Sequence, residues 1–197
     1  CVKDGITYFV KIYKNNRIEE LDSIQSIYDR LGIPTPKIVE NGYLEVYDKT
    51  YVVYEYIKGK TLKELTEELE VEELEMIGKM VGNYLSKFKI ISDNKEILIK
   101  TCNSEFESLI EILFKIKKNE FINIDRVIRN FNYLKEYLYE TCPSFIHKDV
   151  NLNNIIIYNN VPYFVDTDGG KISFCALDFR GICWWTWDGD NKLNEQA

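Results

Sequence analysis

Two stretches near the end of the sequence decide the fold. Residues 147–154 read HKDVNLNN and residues 165–169 read VDTDG. Between them lie two short apolar runs joined by Asn159-Asn160, a pair that tolerates the positive φ of a two-residue hairpin turn. The pattern therefore predicts a polar loop, a β-hairpin and an acidic turn, in that order.

The hairpin is expected to bring the two polar stretches together. It returns the chain, so that Asp166 at the end of its second strand should lie beside Asn154 at the start of its first. Phosphoryl transfer from ATP needs a carboxylate that positions or deprotonates the acceptor hydroxyl, and it needs oxygen ligands for Mg²⁺. Asp149 fits the first requirement, and Asn154 and Asp166 fit the second. Asp168 is either a second metal ligand or a solvated turn carboxylate.

The first 58 residues predict a small antiparallel sheet with one helix. Asp4-Gly5 between apolar runs is a hairpin signal, and Lys11 lies in the second strand of that hairpin. Apolar residues recur every three or four positions over residues 17–31, which predicts an amphipathic helix. Two further apolar segments, 37–46 and 51–57, are typical of a second antiparallel hairpin.

The pattern becomes helical after this sheet. Thr61 and Glu64 have the spacing of a capping box, and apolar residues repeat with helical spacing to about residue 140. The hairpin after the polar loop then restores the strand pattern. We therefore expect an α+β fold with a β-rich domain over residues 1–58 and a mostly helical domain over residues 59–197.

Composition restricts the class of protein. Lys and Arg total 25 against 32 Asp and Glu, a formal net charge of −7, so no basic stripe is available to bind nucleic acid. No stretch approaches the roughly 18 apolar residues of a membrane span. Five Cys with one His form no C-x-x-C pair, which predicts reduced thiols in a cytoplasmic protein. The sequence begins at Cys1 and has its first Met at Met76, so we expect a fragment.

The spacing H-x-D-x-x-x-x-N followed by D-x-D resembles the aminoglycoside phosphotransferase and choline kinase branch of the protein-kinase-like superfamily. That branch usually has H-G-D-x-x-x-x-N and a strand ending in I-D-x-E/D. The resemblance extends from about residue 7 to residue 180. It implies a bilobal protein-kinase-like fold, ATP and Mg²⁺, and transfer of the γ-phosphate to a hydroxyl of a small molecule such as an aminoglycoside, a choline-like compound or a sugar.

The resemblance also implies roles for individual residues. Lys11 is similar to the lysine that grips the α- and β-phosphates, and Glu20, with Glu19 as its competitor, is similar to the acid that orients that lysine. Backbone groups of the hinge would meet the adenine edge, His147 would brace the metal-binding turn, and Asp178 would support the catalytic loop. The hinge residues are Glu55, Tyr56 and Ile57.

Three departures from the family pattern keep other functions open. Only ten residues precede Lys11, so we expect the phosphate-covering loop to be absent or reduced to the Asp4-Gly5 turn. Only nineteen residues follow Asp178, where relatives continue with helices that complete the acceptor pocket. Lys148 replaces the usual Gly of the loop. A catalytically inactive kinase-like scaffold, for example of the spore-coat type, is therefore an alternative. A D-x-D glycosyltransferase is a weaker one, because it leaves Lys11 without a role.

Overall fold

The computed structural model describes most of the chain outside one internal segment and the C-terminal tail. The described residues are 1–88, 144–173 and the individual positions 100, 104, 107, 108, 111, 125, 126, 128–130, 132, 133 and 178. The strands are β1 Val2–Lys3, β2 Ile6–Lys14, β3 Ile38–Leu44, β4 Lys49–Glu55, β5 Lys60–Thr61, β6 Ser144–Ile146, β7 Ile155–Tyr158, β8 Val161–Phe164 and β9 Lys171–Ser173; the helices are α1 Ile18–Leu31, α2 Leu62–Leu65 and α3 Val71–Lys87.

The first four strands form one antiparallel sheet in the order β1-β2-β4-β3. The β1–β2 turn has φ of 51° at Asp4 and 77° at Gly5, the two positive values that a tight hairpin turn requires. Lys11 pairs with Val52 of the neighbouring strand β4. The two predicted hairpins of this region are confirmed, and the register places Lys11 in the middle of the sheet rather than at an end.

Helix α1 covers one face of this sheet. It begins at Ile18, and Gly32 ends it in the left-handed conformation, with φ of 60°. Its buried residue Leu21 packs with Val52 and Tyr54 of β4. The predicted amphipathic helix is confirmed, because its apolar ridge is the surface that the sheet covers.

The hairpin between the two polar stretches is present as predicted. Strands β7 and β8 pair antiparallel, and the turn residues Asn159 and Asn160 have φ of 49° and 60°. The two-residue strand β5 pairs with β7 and completes a three-stranded sheet in the order β5-β7-β8. The sequence did not predict β5, because two residues are too few to show an alternating pattern.

Two helices follow β5. Thr61 caps α2 with the predicted capping box, in which the Thr61 side chain accepts from the Glu64 backbone and Glu64 accepts from the Thr61 backbone N–H at 2.7 Å. Helix α3 buries Ile77, Val81 and Leu85. The Tyr84 ring of α3 meets the Phe164 ring of β8 edge-on, with 6.2 Å between centroids. The rest of the predicted helical region falls at 89–143, mostly outside the described residues.

The chain divides into two compact units. One contains Cys1–Lys87 and His147–Gly170, together with Asp178. In the other, β6 pairs antiparallel with β9, and the Phe145 backbone N–H donates to the carbonyl oxygen of Phe88. The strand β9 had no clear signal in the sequence. The boundary predicted at residue 58 stays a prediction.

Gly59 offers a direct test of the approach between β5 and β7. A Cβ at this position would overlap the backbone carbonyl oxygen of Ile157, whereas a Cβ at Gly78 in α3 would meet no atom within 4 Å. We expect Gly59→Ala to lower the free energy of unfolding by about 1–3 kcal/mol because the two strands must separate. Gly78→Ala should raise it by roughly 0.5–1 kcal/mol through helix propensity. Urea denaturation of both variants measures this, and equal effects would contradict the close approach.

Candidate active site

The polar loop, residues 147–154, is organised by its own side chains. The Asp149 carboxylate accepts from the Asn154 amide at 2.8 Å and from the Asn151 amide at 3.0 Å. The Asn151 side-chain oxygen in turn accepts the backbone N–H of Asn153 at 2.9 Å. Asp149 is exposed, so its carboxylate is held in position while it remains open to a ligand.

His147 is fully buried beneath this loop. Its Nε2 lies 3.0 Å from the carbonyl oxygen of Val165, the residue immediately before Asp166, and its Nδ1 lies 3.4 Å from the backbone nitrogen of Asp149. Burial lowers the pKa of His147, since the charged imidazolium would be desolvated, although the Val165 carbonyl opposes this. A neutral ring that donates at Nε2 and accepts at Nδ1 therefore connects the loop to the end of β8.

The Asp178 side chain holds the backbone of the loop. Its carboxylate accepts the N–H of His147 at 2.9 Å and the N–H of Lys148 at 2.6 Å. Lys148 has φ of 79°, a left-handed conformation that costs a residue with a Cβ more than it costs glycine. Glycine adopts this conformation without that cost, which is the physical reason for the Gly that is usual at this position of the family loop. In this chain the position is a lysine, and Asp178 stabilises the turn.

Lys11 connects strand β2 to the acidic turn. Its ammonium group forms an ion pair with Asp166 and another, at 3.0 Å, with Asp168. Burial would lower the pKa of Lys11, but the hydrogen bonds and charges of the two carboxylates outweigh it and raise that pKa. Burial would likewise raise the pKa of Asp168, and Lys11 holds it below its usual value. Lys11 is thus a protonated cation between two carboxylates.

The predicted hinge and the charged residues line one cleft, which we call the hinge cleft. It encloses about 430 Å³. The hinge borders it together with Lys11, Asn154 and Asp166, and apolar side chains form most of the remaining wall. The lining residues are Phe9, Lys11, Pro36, Tyr54, Glu55, Tyr56, Ile57, Asn154, Ile156, Val165, Asp166 and Thr167.

The hairpin brings Asn154 and Asp166 to the same end of this cleft. The backbone N–H of Val165 donates to the carbonyl oxygen of Asn154 at 3.0 Å, so the start of β7 lies beside the end of β8. The Asn154 amide nitrogen donates to Asp149, and this orientation leaves its side-chain oxygen available as a ligand. The juxtaposition expected from the sequence is therefore present.

Glu20 has a different partner from the one that the resemblance implied. Its carboxylate accepts from Nε and Nη2 of Arg17 at 2.8 Å and 2.6 Å, and within the described residues it makes no ion pair with Lys11. Arg17 lies three residues earlier on the same helix start, so a two-pronged pair forms locally. These bonds lower the pKa of Glu20. The expectation that Glu20 orients Lys11 is not met in this arrangement.

Sequence reasoning missed two residues that organise the site. Asn151 is one of them, and its spacing two residues after Asp149 is the signal that could have found it, because an Asn side chain often bonds the local backbone. Arg17 was treated only as the start of a helix. Its three-residue spacing from Glu20 predicts the ion pair, but no local pattern predicts its contact with the acidic turn.

The match to a family model decides the assignment. The model described as the phosphotransferase enzyme family matches residues 2–196. The chain belongs to this family. No curated protein matches the chain.

Solved structures of aminoglycoside phosphotransferases share the fold of this family member. APH(2'')-IIa in complex with gentamicin aligns with a TM-score of 0.59 at 18% identity, over 89% of this chain and 63% of that one. APH(4)-Ia gives 0.61 at 12% identity, over 93% and 66%. ADP-bound APH(2'')-Ib gives 0.56 at 19% identity, over 87% and 62%. The α+β protein-kinase-like fold is thereby confirmed.

The comparisons also show how much of each solved structure the chain covers. It spans less than two thirds of the length of each of these three structures. Among the described residues of this phosphotransferase family member, no helix is both long enough and apolar enough to cross a membrane.

Asp178 gives a pH-dependent test of how the loop is held. Burial raises the pKa of Asp178 to about 6, so the folded state disfavours its ionisation. A carboxyl whose pKa is higher in the folded than in the unfolded chain stabilises the fold below the unfolded value, and this contribution is lost as pH rises through about 6. The loss corresponds to roughly 3 kcal/mol.

We therefore expect the free energy of unfolding of Asp178→Asn to rise, relative to the unsubstituted chain, between pH 4 and pH 7. Urea titrations of both proteins at matched pH values measure the difference, in which the other titrating groups cancel. A difference that does not change with pH would show that Asp178 is as easily ionised in the folded chain as in the unfolded one.

Proposed function

We propose that this chain is an ATP-dependent phosphotransferase that transfers the γ-phosphate to a hydroxyl of a small molecule. The observation that carries the proposal is the hinge cleft, in which the hinge, Lys11, Asn154 and Asp166 border one cavity of about 430 Å³. Cavities of this size and apolar character are typical of small-ligand sites. Membership of the phosphotransferase family supports the same reaction class and favours it over the glycosyltransferase alternative.

The hinge supports binding of the adenine at one end of the cleft. The Glu55 backbone N–H already donates to the carbonyl oxygen of Lys37 at 2.9 Å, and the Ile57 carbonyl oxygen accepts from Gly59 at 2.9 Å. In the described residues the N–H groups of Tyr56 and Ile57 have no such partner, so they are the donors that an adenine edge would meet. Phe9 and Ile156 supply apolar surface for the ring faces.

The donor set near Asp166 fits Mg²⁺. Carboxylate and amide oxygens of Asp166 and Asn154 are hard ligands, and Mg²⁺ is usually bound by one or two carboxylates with substrate phosphates completing its shell. Among the described residues no cluster of three or more His, Cys, Asp or Glu is placed to hold a metal ion. The proposed site therefore depends on nucleotide oxygens, which is the arrangement expected of a metal that enters with ATP. Such an ion neutralises charge on the phosphates.

Each protein group then has a distinct task. Lys11 would exchange its carboxylate partners for the phosphates, and Asn154 and Asp166 would hold the metal. Asp149 orients the acceptor hydroxyl and accepts its proton, since its carboxylate is exposed and fixed by two amides. His147 and Asp178 keep the loop and the turn in place through the backbone contacts described above.

More specifically, we propose that the acceptor is a cationic small molecule in the cytoplasm. The net charge of −7 favours a positively charged partner. Two similar structures are complexes with gentamicin and hygromycin B, at 18% and 14% identity. An amino sugar or a choline-like alcohol is therefore the first class of acceptor to assay.

The inactive scaffold makes a different prediction for nucleotide binding. If ATP binds, Mg²⁺-ATP at 100 times its dissociation constant should stabilise the chain by about 2.7 kcal/mol. A thermal-denaturation series with and without Mg²⁺-ATP measures this. Absence of any shift in well-folded protein would favour the scaffold and contradict the proposed nucleotide site.

Asp149→Asn tests the proposed reaction. We expect turnover to fall by about 10² to 10⁴, because the amide keeps the shape of the side chain but cannot accept the proton. The melting temperature should change little, since Asp149 is exposed. Asp22→Asn on the exposed face of α1 is the matched control and should retain full turnover. ATP consumption with a panel of amino-sugar and choline-like acceptors is the assay, and unchanged turnover of Asp149→Asn would exclude this role.

A further inference from the structure

Arg17 is the residue that joins helix α1 to the acidic turn. Its guanidinium binds Glu20 through two nitrogens, at 2.8 Å and 2.6 Å. The same Nη2 also donates to the backbone carbonyl oxygen of Asp168 at 3.0 Å. One side chain therefore connects residues that lie about 150 positions apart in the sequence.

Further contacts restrain both the guanidinium and the backbone of Arg17. Its carbon lies 5.1 Å from the centroid of the Tyr13 ring, a distance suited to a cation–π contact. The Arg17 backbone N–H donates to the Thr50 hydroxyl at 3.0 Å, and that hydroxyl donates to the carbonyl oxygen of Asn15 at 2.7 Å. The Arg17 side chain is only 27% exposed. The Arg17 side chain is thus packed against several partners and is mostly shielded from solvent.

The contact acts on the segment that carries Asp166. Asp168 is two residues after Asp166, and the backbone N–H of Gly170 donates to the Thr167 carbonyl oxygen at 3.0 Å, so residues 166–170 form one tight turn. Asp166 itself has φ of 62°, a left-handed conformation that needs support from its surroundings. Arg17 supplies a charge-assisted hydrogen bond to this turn.

We propose that Arg17 is a positioning residue, which fixes the turn at Asp168 so that Asp166 presents its carboxylate to the metal–nucleotide complex. The inference rests on the proposed function, because it concerns the metal that enters with ATP. It also gives Glu20 a task in the arrangement seen here: Glu20 orients the guanidinium of Arg17, and Arg17 orients the turn.

Positioning and simple charge predict opposite results. Arg17 is a cation near Asp166 and Asp168, so its charge repels a divalent metal ion. If charge were the only effect, removing Arg17 would strengthen binding of the metal ion. If Arg17 positions the turn, its removal weakens metal binding, since loss of such a supporting hydrogen bond commonly costs 10- to 100-fold in metal affinity. The direction of the change therefore separates the two effects.

The experiment measures Mn²⁺ binding to the chain with a non-hydrolysable ATP analogue, by electron paramagnetic resonance of free Mn²⁺. Arg17→Gln removes the charge and the two-pronged bond. Arg17→Lys keeps the charge but offers a single donor group that cannot bind Glu20 and the Asp168 carbonyl in the same way. Arg30→Gln, on the exposed end of the same helix, is the matched control for charge. Thermal denaturation confirms that each variant is folded.

We expect Arg17→Gln to weaken Mn²⁺ binding about tenfold or more, Arg17→Lys to give an intermediate value, and Arg30→Gln to bind as the unsubstituted chain does. The affinity for the metal-free analogue should change far less. Unchanged or tighter Mn²⁺ binding by Arg17→Gln would overturn the role of Arg17 and leave the proposed function in place. If the unsubstituted chain binds neither the analogue nor Mn²⁺, the proposed function fails and the role of Arg17 fails with it.

Discussion

The ammonium group of Lys11 lies between the carboxylates of Asp166 and Asp168, and the candidate site depends on these two ion pairs. They join a strand near the start of the chain to a turn near its end. Without this cation, the two neighbouring carboxylates would repel each other in a partly buried setting. The shared cation makes the pair of acids compatible, and it also reserves them for a ligand that can supply positive charge of its own.

Binding of a metal–nucleotide complex would be an exchange of charges rather than a simple addition. A divalent cation can replace the ammonium group at Asp166, and phosphate oxygens can replace the carboxylates around Lys11. No isolated charge would be left in the cleft after this exchange. The net cost of desolvation is therefore smaller than if the site held unpaired charges before binding.

The loop that carries Asp149 is fixed mainly through backbone groups. Asp178 accepts two consecutive backbone N–H groups, and His147 links the loop to Val165, the residue that follows β8 and precedes Asp166. Buried groups of this kind hold a geometry without depending on exposed side chains. Asp149 can therefore be exposed and ordered together, as a positioned base requires.

The sequence by itself determined the local elements and indicated the candidate site residues. The Asp4-Gly5 turn, helix α1, the capping box at Thr61 and the Asn159-Asn160 hairpin all follow from local chemistry, because turns, caps and apolar periodicity involve neighbours along the chain. Asn154 and Asp166 could also be placed together, since a two-residue turn leaves a hairpin little choice of register.

Only the tertiary structure decided which charged groups meet. The resemblance assigned Lys11 to Glu20, whereas the structure gives Lys11 to Asp166 and Asp168 and leaves Glu20 to its local neighbour Arg17. Only the first of these pairings joins segments that are distant in the sequence. The strands β5 and β9 likewise need partners distant in sequence before they become recognisable. Ion pairs and short strands of this kind depend on distances between segments, and a pattern of neighbouring residues contains no information about those distances.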